Sequence, residues 1–444
     1  MFSTLRKDLR ISTAEGTATN VMVGIGETYL PAFVLALTGS QLSCGLVSTV
    51  PLVIGSLLQL GAPWLLRICG SYRRLVAVCA AVQAATFAPL LLAALMGRMT
   101  VVAVFALVAV YWATGLCASG PWNAWIETLV PARVRIRYFA WRTRINQWGI
   151  VAGFLVGGIA LQAADQFGIP LAIFALLFFL AGASRFVSVK LLTLHREPQP
   201  PRRAPAMSPA TIFRSLSTGE NGRLLLFLMA AQAAVQISSP YFNPFLLGEL
   251  HFSYTIYAIV ICMATVAKIF FLPTVGRIAD RVGVRRVFWI SAVASVFVPA
   301  LWLVSSNWIY LVVTQIYSGM AWCAFDLATL LLFIETIPRQ KRVDVLTLFN
   351  VANSVAMAGG SLLGAGILAA LGAGRTAYLA LFVISTLARA MAILLLVRMP
   401  ARSRSPAVHP VVPSPYVMRN SLSRPVTLSR KADRERDAAL GSRS

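Results

Sequence analysis

The sequence contains little charge and little histidine. Charged residues make up 12% of its 444 residues and hydrophobic residues 58%, whereas soluble domains carry about 25% charge. A chain this apolar cannot hide its surface in one water-soluble core, which excludes an ordinary soluble domain. The three histidines, His195, His251 and His409, lie far apart without the spacing of a metal site, so no metal is expected.

Residues that carry catalytic or cofactor chemistry are also lacking. The cysteines form no CxxC pair and lie in or beside apolar segments, where small buried residues are expected. They are Cys44, Cys69, Cys79, Cys117, Cys262 and Cys323. The sequence has no phosphate-binding Gly-Lys-Ser/Thr loop, so ATP-driven transport by this chain is not expected. We expect neither an enzyme nor a cofactor.

Acidic residues are few as well, 15 against 39 Lys and Arg, which gives a formal net charge of +24. Such an excess can indicate nucleic-acid binding, but that function needs a basic face on a soluble domain. Here the cations lie in loops and in a C-terminal tail. Nucleic acid is therefore not an expected partner.

The long apolar segments predict an all-helical membrane protein. About 20 apolar residues are needed for a helix to cross the hydrocarbon core of a bilayer. Twelve segments qualify: 18–38, 44–66, 75–97, 100–130, 143–163, 169–192, 223–247, 254–275, 287–305, 308–336, 345–370 and 376–398. The polar residues before the first segment do not resemble a signal peptide, so the first helix is expected to be retained.

The distribution of cations predicts the orientation. All but five of the 39 Lys and Arg lie in alternate loops and at the termini; the exceptions are Arg98, Arg375, Arg185, Lys268 and Arg389. Short cytoplasmic loops of membrane proteins are enriched in cations, so both termini are expected to be cytoplasmic. The expected location is a bacterial inner membrane. Arg185 and Arg389 occupy equivalent places in spans 6 and 12, within snorkelling reach of the cytoplasmic face, and a structural role is expected for both.

An internal repeat divides the spans into two halves. The sequence Ile126-Glu127-Thr128 recurs as Ile334-Glu335-Thr336, and further matches follow in the same order at offsets of about 206 to 213 residues. These pairs are Tyr111 and Tyr317, Cys117 and Cys323, Gly153 and Gly360, Gly157 and Gly364, Pro31 and Pro244, and Gly70 and Gly283. We predict a six-helix bundle over 1–197, a Pro- and Arg-rich cytoplasmic linker over 198–219, a second six-helix bundle over 220–400 and a disordered basic tail over 401–444.

One loop between spans 8 and 9 carries a specific motif. Its residues are Gly276, Asp280, Arg281, Gly283, Arg285 and Arg286. Glycines allow a tight turn and close helix approach, while the charged residues can form a network in one conformation and break it in another. The chain resembles the major facilitator superfamily over 18–398. That resemblance implies a pseudo-symmetric twelve-helix transporter in which this loop forms a cytoplasmic gate. The equivalent loop of the first half departs from the pattern, with Pro63 and Arg67 at the glycine and aspartate positions.

Span 5 carries glycines that bear on the direction of transport, namely Gly149, Gly153, Gly157 and Gly158. They resemble the glycine motif of the superfamily's antiporters and favour export, although Phe154 stands at the position of its proline. Small residues at every fourth position also let two membrane helices pack closely. Packing alone would explain these glycines.

Ionisable residues inside spans are the best candidates for a mechanism, because a charge at the bilayer centre costs about 2.5 to 3.5 kcal/mol. Glu27 lies in span 1, Lys268 in span 8 and Asp326 in span 10. A cavity carboxylate can couple transport to protons, while Lys268 and Asp326 can instead form a structural ion pair. Asn123, Gln236 and Asn353 are candidates for binding a polar substrate, and interhelical hydrogen bonds are the alternative for each.

The function predicted from these features is secondary active transport of a small solute by alternating access, coupled to protons or another ion, with export and import both open as the direction. An uncoupled facilitator or sugar-type uptake permease, a non-transporting membrane sensor and a lipid-handling protein of the same fold remain alternatives. The expected partners are the small-molecule substrate, the coupling ion and membrane lipids. The protein is expected to be a monomer.

Overall fold

The computed structural model describes residues 2–130, 132–197, 219–336, 342–372 and 374–397. In these ranges twelve helical spans are long and apolar enough to cross a membrane, as the sequence predicts. The first six are α1 (Phe2–Ile25, Glu27–Tyr29 and Leu30–Thr38), α2 (Gln41–Leu46, Val50–Leu58, Gln59–Gly61 and Ala62–Cys69), α3 (Tyr72–Ala85 and Phe87–Met96), α4 (Val101–Leu129), α5 (Ala132–Gln166) and α6 (Pro170–Leu194). The last six are α7 (Gly219–Ser238, Ser239–Tyr241, Phe242–Pro244 and Phe245–Glu249), α8 (Tyr254–Val282), α9 (Val284–Leu301), α10 (Trp308–Thr336), α11 (Arg342–Leu371) and α12 (Arg375–Val397).

Several helices extend beyond the apolar segments. Helix α1 begins at Phe2 rather than at residue 18, and α5 begins at Ala132, which places the basic segment 133–144 inside a helix. Hydropathy marks only the part of a helix that contacts hydrocarbon, so the sequence predicts span centres better than helix ends. The predicted linker, apart from Gly219, and the predicted tail lie outside the described residues.

Helices α1 and α7 are interrupted at equivalent places. A short 3-10 turn, Glu27–Tyr29 in α1 and Ser239–Tyr241 in α7, precedes Pro31 and Pro244, respectively. A proline removes one backbone donor and clashes with the preceding turn, which explains why neither helix is continuous here. The repeat predicted from the proline offset therefore marks a shared break.

Glycines bring α1 against α5 and α7 against α11. A Cβ atom on Gly153 would lie 3.0 Å from the side chain of Ile25, and one on Gly360 would lie 2.0 Å from the carbonyl oxygen of Ala233. Gly157 faces the ring of Tyr29 in the same way that Gly364 faces the ring of Tyr241. Small residues are thus required by close backbone approach at both pseudo-symmetric interfaces.

The two tyrosines close these interfaces with matching hydrogen bonds. The hydroxyl of Tyr29 donates to the carbonyl oxygen of Phe154, and that of Tyr241 donates to the carbonyl oxygen of Ser361 at 2.6 Å. Both tyrosines are fully buried. Each half therefore uses the same tyrosine and glycine arrangement to hold its interrupted helix.

The two halves meet at one end of the molecule and are separate at the other. A single buried apolar cluster draws residues from both halves near the loops α1–α2, α5–α6, α7–α8 and α11–α12, here named the closed end. Near the loops α2–α3, α4–α5 and α8–α9, here named the basic end, one cluster belongs to the second half and two belong to the first.

Hydrogen bonds reinforce the contact at the closed end. The hydroxyl of Tyr378 donates to Oε1 of Gln41 at 2.7 Å, and the hydroxyl of Thr49 donates to Oγ of Ser361, also at 2.7 Å. The pairs join α12 and α11 of the second half to α2 of the first. The closed end is thus a packed interface in this conformation.

Candidate functional site

Glu27 lies at the break in α1 and is held by a tyrosine of α4. The hydroxyl of Tyr111 donates to Oε2 of Glu27 at 2.5 Å, and the Tyr111 ring packs edge-on against Phe87. The Glu27 side chain is partly buried within the apolar cluster of the closed end, which contains Met22 and Tyr111. Among the described residues, no Lys or Arg forms an ion pair with Glu27. No described cation therefore neutralises the Glu27 carboxylate.

Lys268 and Asp326 form the ion pair expected from their depth in α8 and α10. Their Nζ and Oδ2 atoms lie 3.0 Å apart. The pair is not buried, since 39% of the Lys268 side chain and 59% of the Asp326 side chain are exposed. The pair is therefore accessible in this conformation, although both residues lie within spans.

The three candidate amides occupy different environments. Asn123 is exposed on α4, Gln236 is buried in α7, and Asn353 is partly buried in α11, where its Nδ2 lies 3.6 Å from Sδ of Met357. No hydrogen bond between described residues joins them to Glu27 or to the Lys268 pair. Their roles as substrate ligands stay predictions.

The motif between α8 and α9 lies at the basic end. Gly283 ends α8 with a φ of +89°, a conformation that favours glycine, and Gly70 ends α2 with a φ of +62°. Asp280 and Arg281 are exposed and make no ion pair with any residue that the structure describes. The close helix approach expected at Gly276 is absent, because nothing lies within 4 Å of its Cβ position. The separation of the halves at this end explains why.

A buried charge cluster between α1, α5 and α6 was not predicted. Oε2 of Glu15 lies 3.0 Å from the Arg142 guanidinium, and Oε1 lies 4.0 Å from that of Arg185. Thr19 and Ser188 donate to the Glu15 carboxylate at 3.0 and 3.2 Å. Two arginines thus share one buried carboxylate.

The same cluster corrects two sequence interpretations. Arg142 was counted as a loop cation, but it is buried, donates to the carbonyl oxygen of Ser12 and stacks over the Trp122 ring at 4.6 Å. Arg185 was expected to snorkel, yet it is 6% exposed. The sequence signal for this cluster is the run of small and polar residues from Ser12 to Asn20, which leads into the first apolar segment.

The comparisons with known proteins agree with this architecture. The sequence profile described as Major Facilitator Superfamily matches residues 224–429, and the fold is that of twelve helices in two similar halves. The second half of the chain thus matches this superfamily, and the described residues have its twelve-helix fold. The profile match and the fold together support a membrane transporter.

Solved structures of membrane transporters resemble most of the chain. A variant of the nucleoside transporter NupG superimposes with a TM-score of 0.69 at 17% identity, covering 88% of this chain and 99% of the other. A POT family transporter in complex with 5-aminolevulinic acid gives 0.68 at 11% identity, covering 89% and 96%. A D-xylose-proton symporter gives 0.64 at 15% identity, covering 88% and 97%. At these identities the likeness shows the fold, and no curated protein sequence matches the chain.

In the superfamily fold, Arg389 on α12 is the counterpart of Arg185 on α6, and its partners differ. It is 3% exposed and donates to the carbonyl oxygens of Ser295 at 2.8 Å and Val235 at 3.5 Å, and to Oγ of Ser238 at 3.3 Å. No described carboxylate pairs with it. It does not snorkel, so that expectation is wrong, and its contacts to α7 and α9 are structural.

Proposed function

We propose that this protein is a proton-coupled secondary transporter of a small polar solute, with Glu27 as the coupling carboxylate. The observation that carries the proposal is the environment of Glu27, which sits at a helix break, accepts a hydrogen bond from Tyr111 and has no described cation beside it. A carboxylate in such a site can exist either charged or protonated, because the Tyr111 hydroxyl can donate to one form and accept from the other.

The arrangement of the halves supports alternating access. Packing at the closed end and separate cores at the basic end correspond to a cavity open on one side. By the positive-inside rule the basic end would lie in the cytoplasm, and this conformation would then face inward. In the opposite conformation the basic end would close, and Asp280 and Arg281 would then gain partners from the first half.

The exposed pair of Lys268 and Asp326 fits a role in this exchange. A pair that water or solute can reach is able to change partners, whereas a fully buried pair resists separation. Polar solute would bind near this depth, with Asn123, Gln236 and Asn353 as further candidate ligands. A NupG variant and a D-xylose-proton symporter share the fold, which is compatible with a polar solute.

The direction of transport remains a prediction. Export was favoured by the glycines of α5, but these glycines are accounted for by contacts to α1 and α8: Gly153 faces Gly24 and Ile25, and Gly158 faces Ala258. Packing is the simpler account, so the direction must be measured.

The experiment uses purified protein in proteoliposomes. A thermal-shift screen against solute libraries first identifies a ligand, and its flux is then measured from pH 5.5 to 8.5 with and without a protonophore. Glu27→Gln should bind the ligand but lose the pH dependence of flux. Tyr111→Phe, the matched control, keeps the carboxylate and should shift the pH profile without abolishing it.

Each alternative gives a distinct result. Flux that ignores a collapsed proton gradient indicates a facilitator, and ligand binding without flux indicates a sensor. Movement of lipid analogues between leaflets indicates a lipid-handling protein. A Glu27→Gln variant with the parent pH profile refutes the coupling role.

A further inference from the structure

A groove on the outer surface of the first half combines cations with an apolar wall. It lies at the basic end between α2, α3 and α6 and has a volume of about 540 Å³. Its lining includes Ile68, Arg73, Arg74, Ala77, Val78 and Thr193. The proposed transport mechanism uses none of these residues.

The two arginines of the groove are not neutralised by a neighbouring acid. Arg74 is exposed and forms no ion pair with a described residue, while Arg73 makes only a long contact of 3.5 Å to the carbonyl oxygen of His195. The carboxylate of Glu197 is engaged elsewhere, since it accepts from the backbone N–H of Tyr72 at 2.6 Å and from the hydroxyl of Ser71. Positive charge is therefore available to an external anion.

The wall below the arginines is apolar and uncovered. The exposed fractions of Ile68 and Val78 are 62% and 56%. Val78 follows Arg74 by four residues, so it lies about 6 Å further along the helix toward the membrane centre. Span α2 ends at Cys69 and span α6 ends at Leu194, which puts the arginines at the level of the lipid headgroups.

We propose that this groove binds one anionic phospholipid, with the headgroup phosphate on Arg73 and Arg74 and an acyl chain along Ile68 and Val78. Basic pockets between membrane helices suit such headgroups. A free anion would leave the apolar wall unused. The segment that follows Glu197 is a poor occupant, because residues 198–219 contain no Asp or Glu and three arginines.

The proposal is tested on the full-length protein purified in a neutral detergent. Thermal unfolding is followed while phosphatidylglycerol, phosphatidylcholine or inorganic phosphate is added. Each arginine near a headgroup contributes about 1 kcal/mol, or about fivefold in affinity. The double variant Arg73→Gln/Arg74→Gln should therefore need roughly 30-fold more phosphatidylglycerol for half-maximal stabilisation. Arg98→Gln, an exposed arginine at the closed end, is the matched control and should respond like the parent.

The outcomes separate the possible occupants. Stabilisation of the parent by phosphatidylglycerol alone, weakened in the double variant, supports the proposal. An equal response in the double variant, or an equal response of the parent to inorganic phosphate, overturns it.

A double variant that does not fold is replaced by Val78→Asp, which puts an acid on the exposed wall. It should weaken the response to phosphatidylglycerol, and an unchanged response there also overturns the proposal. Because lipid binding is measured without any solute, a failed transport assay leaves this result intact.

Discussion

Replacing Glu15 by Gln removes the one carboxylate that two buried arginines share. The side chains of Glu15 and Arg142 are 6% and 11% exposed, and their charged atoms lie 3.0 Å apart, so little water can compensate the loss. Removing one partner of a buried pair costs about 3 to 5 kcal/mol. That cost lowers the ratio of folded to unfolded protein by roughly 150- to 5,000-fold. We expect Glu15→Gln to lose most of its folded population under mild destabilising conditions.

The matched control is Asp326→Asn, which removes the acid of an ion pair with the same 3.0 Å distance but exposed side chains. Exposed pairs contribute about 0.2 to 1 kcal/mol, so this variant should remain close to the parent. Unfolding of purified protein by SDS titration in mixed micelles gives the free energies.

The double variant Glu15→Gln/Arg142→Gln tests whether the two charges are coupled. Once Glu15 is gone, replacing Arg142 removes an uncompensated charge, so the double variant should lose less than the sum of the single losses. Equal losses in Glu15→Gln and Asp326→Asn, or strict additivity in the double variant, would refute the reasoning from burial.

Three further predictions follow from the described contacts. Gly360→Ala should destabilise the protein by about 1 to 3 kcal/mol, because its Cβ would lie 2.0 Å from a carbonyl oxygen of α7. The neighbouring Gly359 has open space around it, so Gly359→Ala should be neutral or stabilising by up to about 1 kcal/mol in the same SDS titration. Burial lowers the pKa of His195 below its usual 6.5, so the neutral ring stabilises the fold above about pH 6.5 and that stability is lost as the pH falls; thermal unfolding from pH 8 to 5 should show a steeper decline in the parent than in His195→Gln. Asp280→Asn should reduce flux in proteoliposomes while its thermal midpoint in detergent stays near that of the parent, because the exposed carboxylate makes no described ion pair in this conformation. Unchanged flux would remove the proposed gating role.

The sequence predicts the span centres and the repeat well, for physical reasons. Crossing a bilayer imposes a local requirement of about 20 apolar residues, which is readable without knowledge of tertiary contacts. The offsets that pair Gly153 with Gly360 and Gly157 with Gly364 report the close approach of α5 to α1 and of α11 to α7. The spans are recognised by the apolarity of their residues and the repeat by the small size of its glycines, and both properties can be read directly from the sequence.

The pairings of individual polar groups are predicted less well. Lys268 and Asp326 could be paired because both are charged and lie at similar depth. The hydrogen bond from Tyr111 to Glu27 joins residues 84 positions apart and depends on how α4 rotates about its axis, which hydropathy does not reveal. The sequence places Arg142 in a loop because hydropathy cannot tell a basic loop from a basic extension of a helix. In the structure α5 begins at Ala132 and includes Arg142.

The two halves share a backbone repeat but stabilise their buried arginines by different means. Arg185 depends on Glu15 and on hydroxyl groups of α1 and α6, so an acidic side chain compensates its charge. Arg389 instead binds Val235 and Ser238, which end the first segment of α7, and the carbonyl oxygens at a helix C-terminus carry partial negative charge. Straightening the break in α7 would draw the carbonyl oxygen of Val235 into a helix hydrogen bond and leave Arg389 its contacts to Ser295 and to Oγ of Ser238. One of the three contacts of Arg389 therefore depends on the interruption of α7, whereas Arg185 contacts α1 at Glu15 and Thr19, well before Glu27. This difference supports assigning the titrating carboxylate to the first half, where the broken helix is free of that constraint.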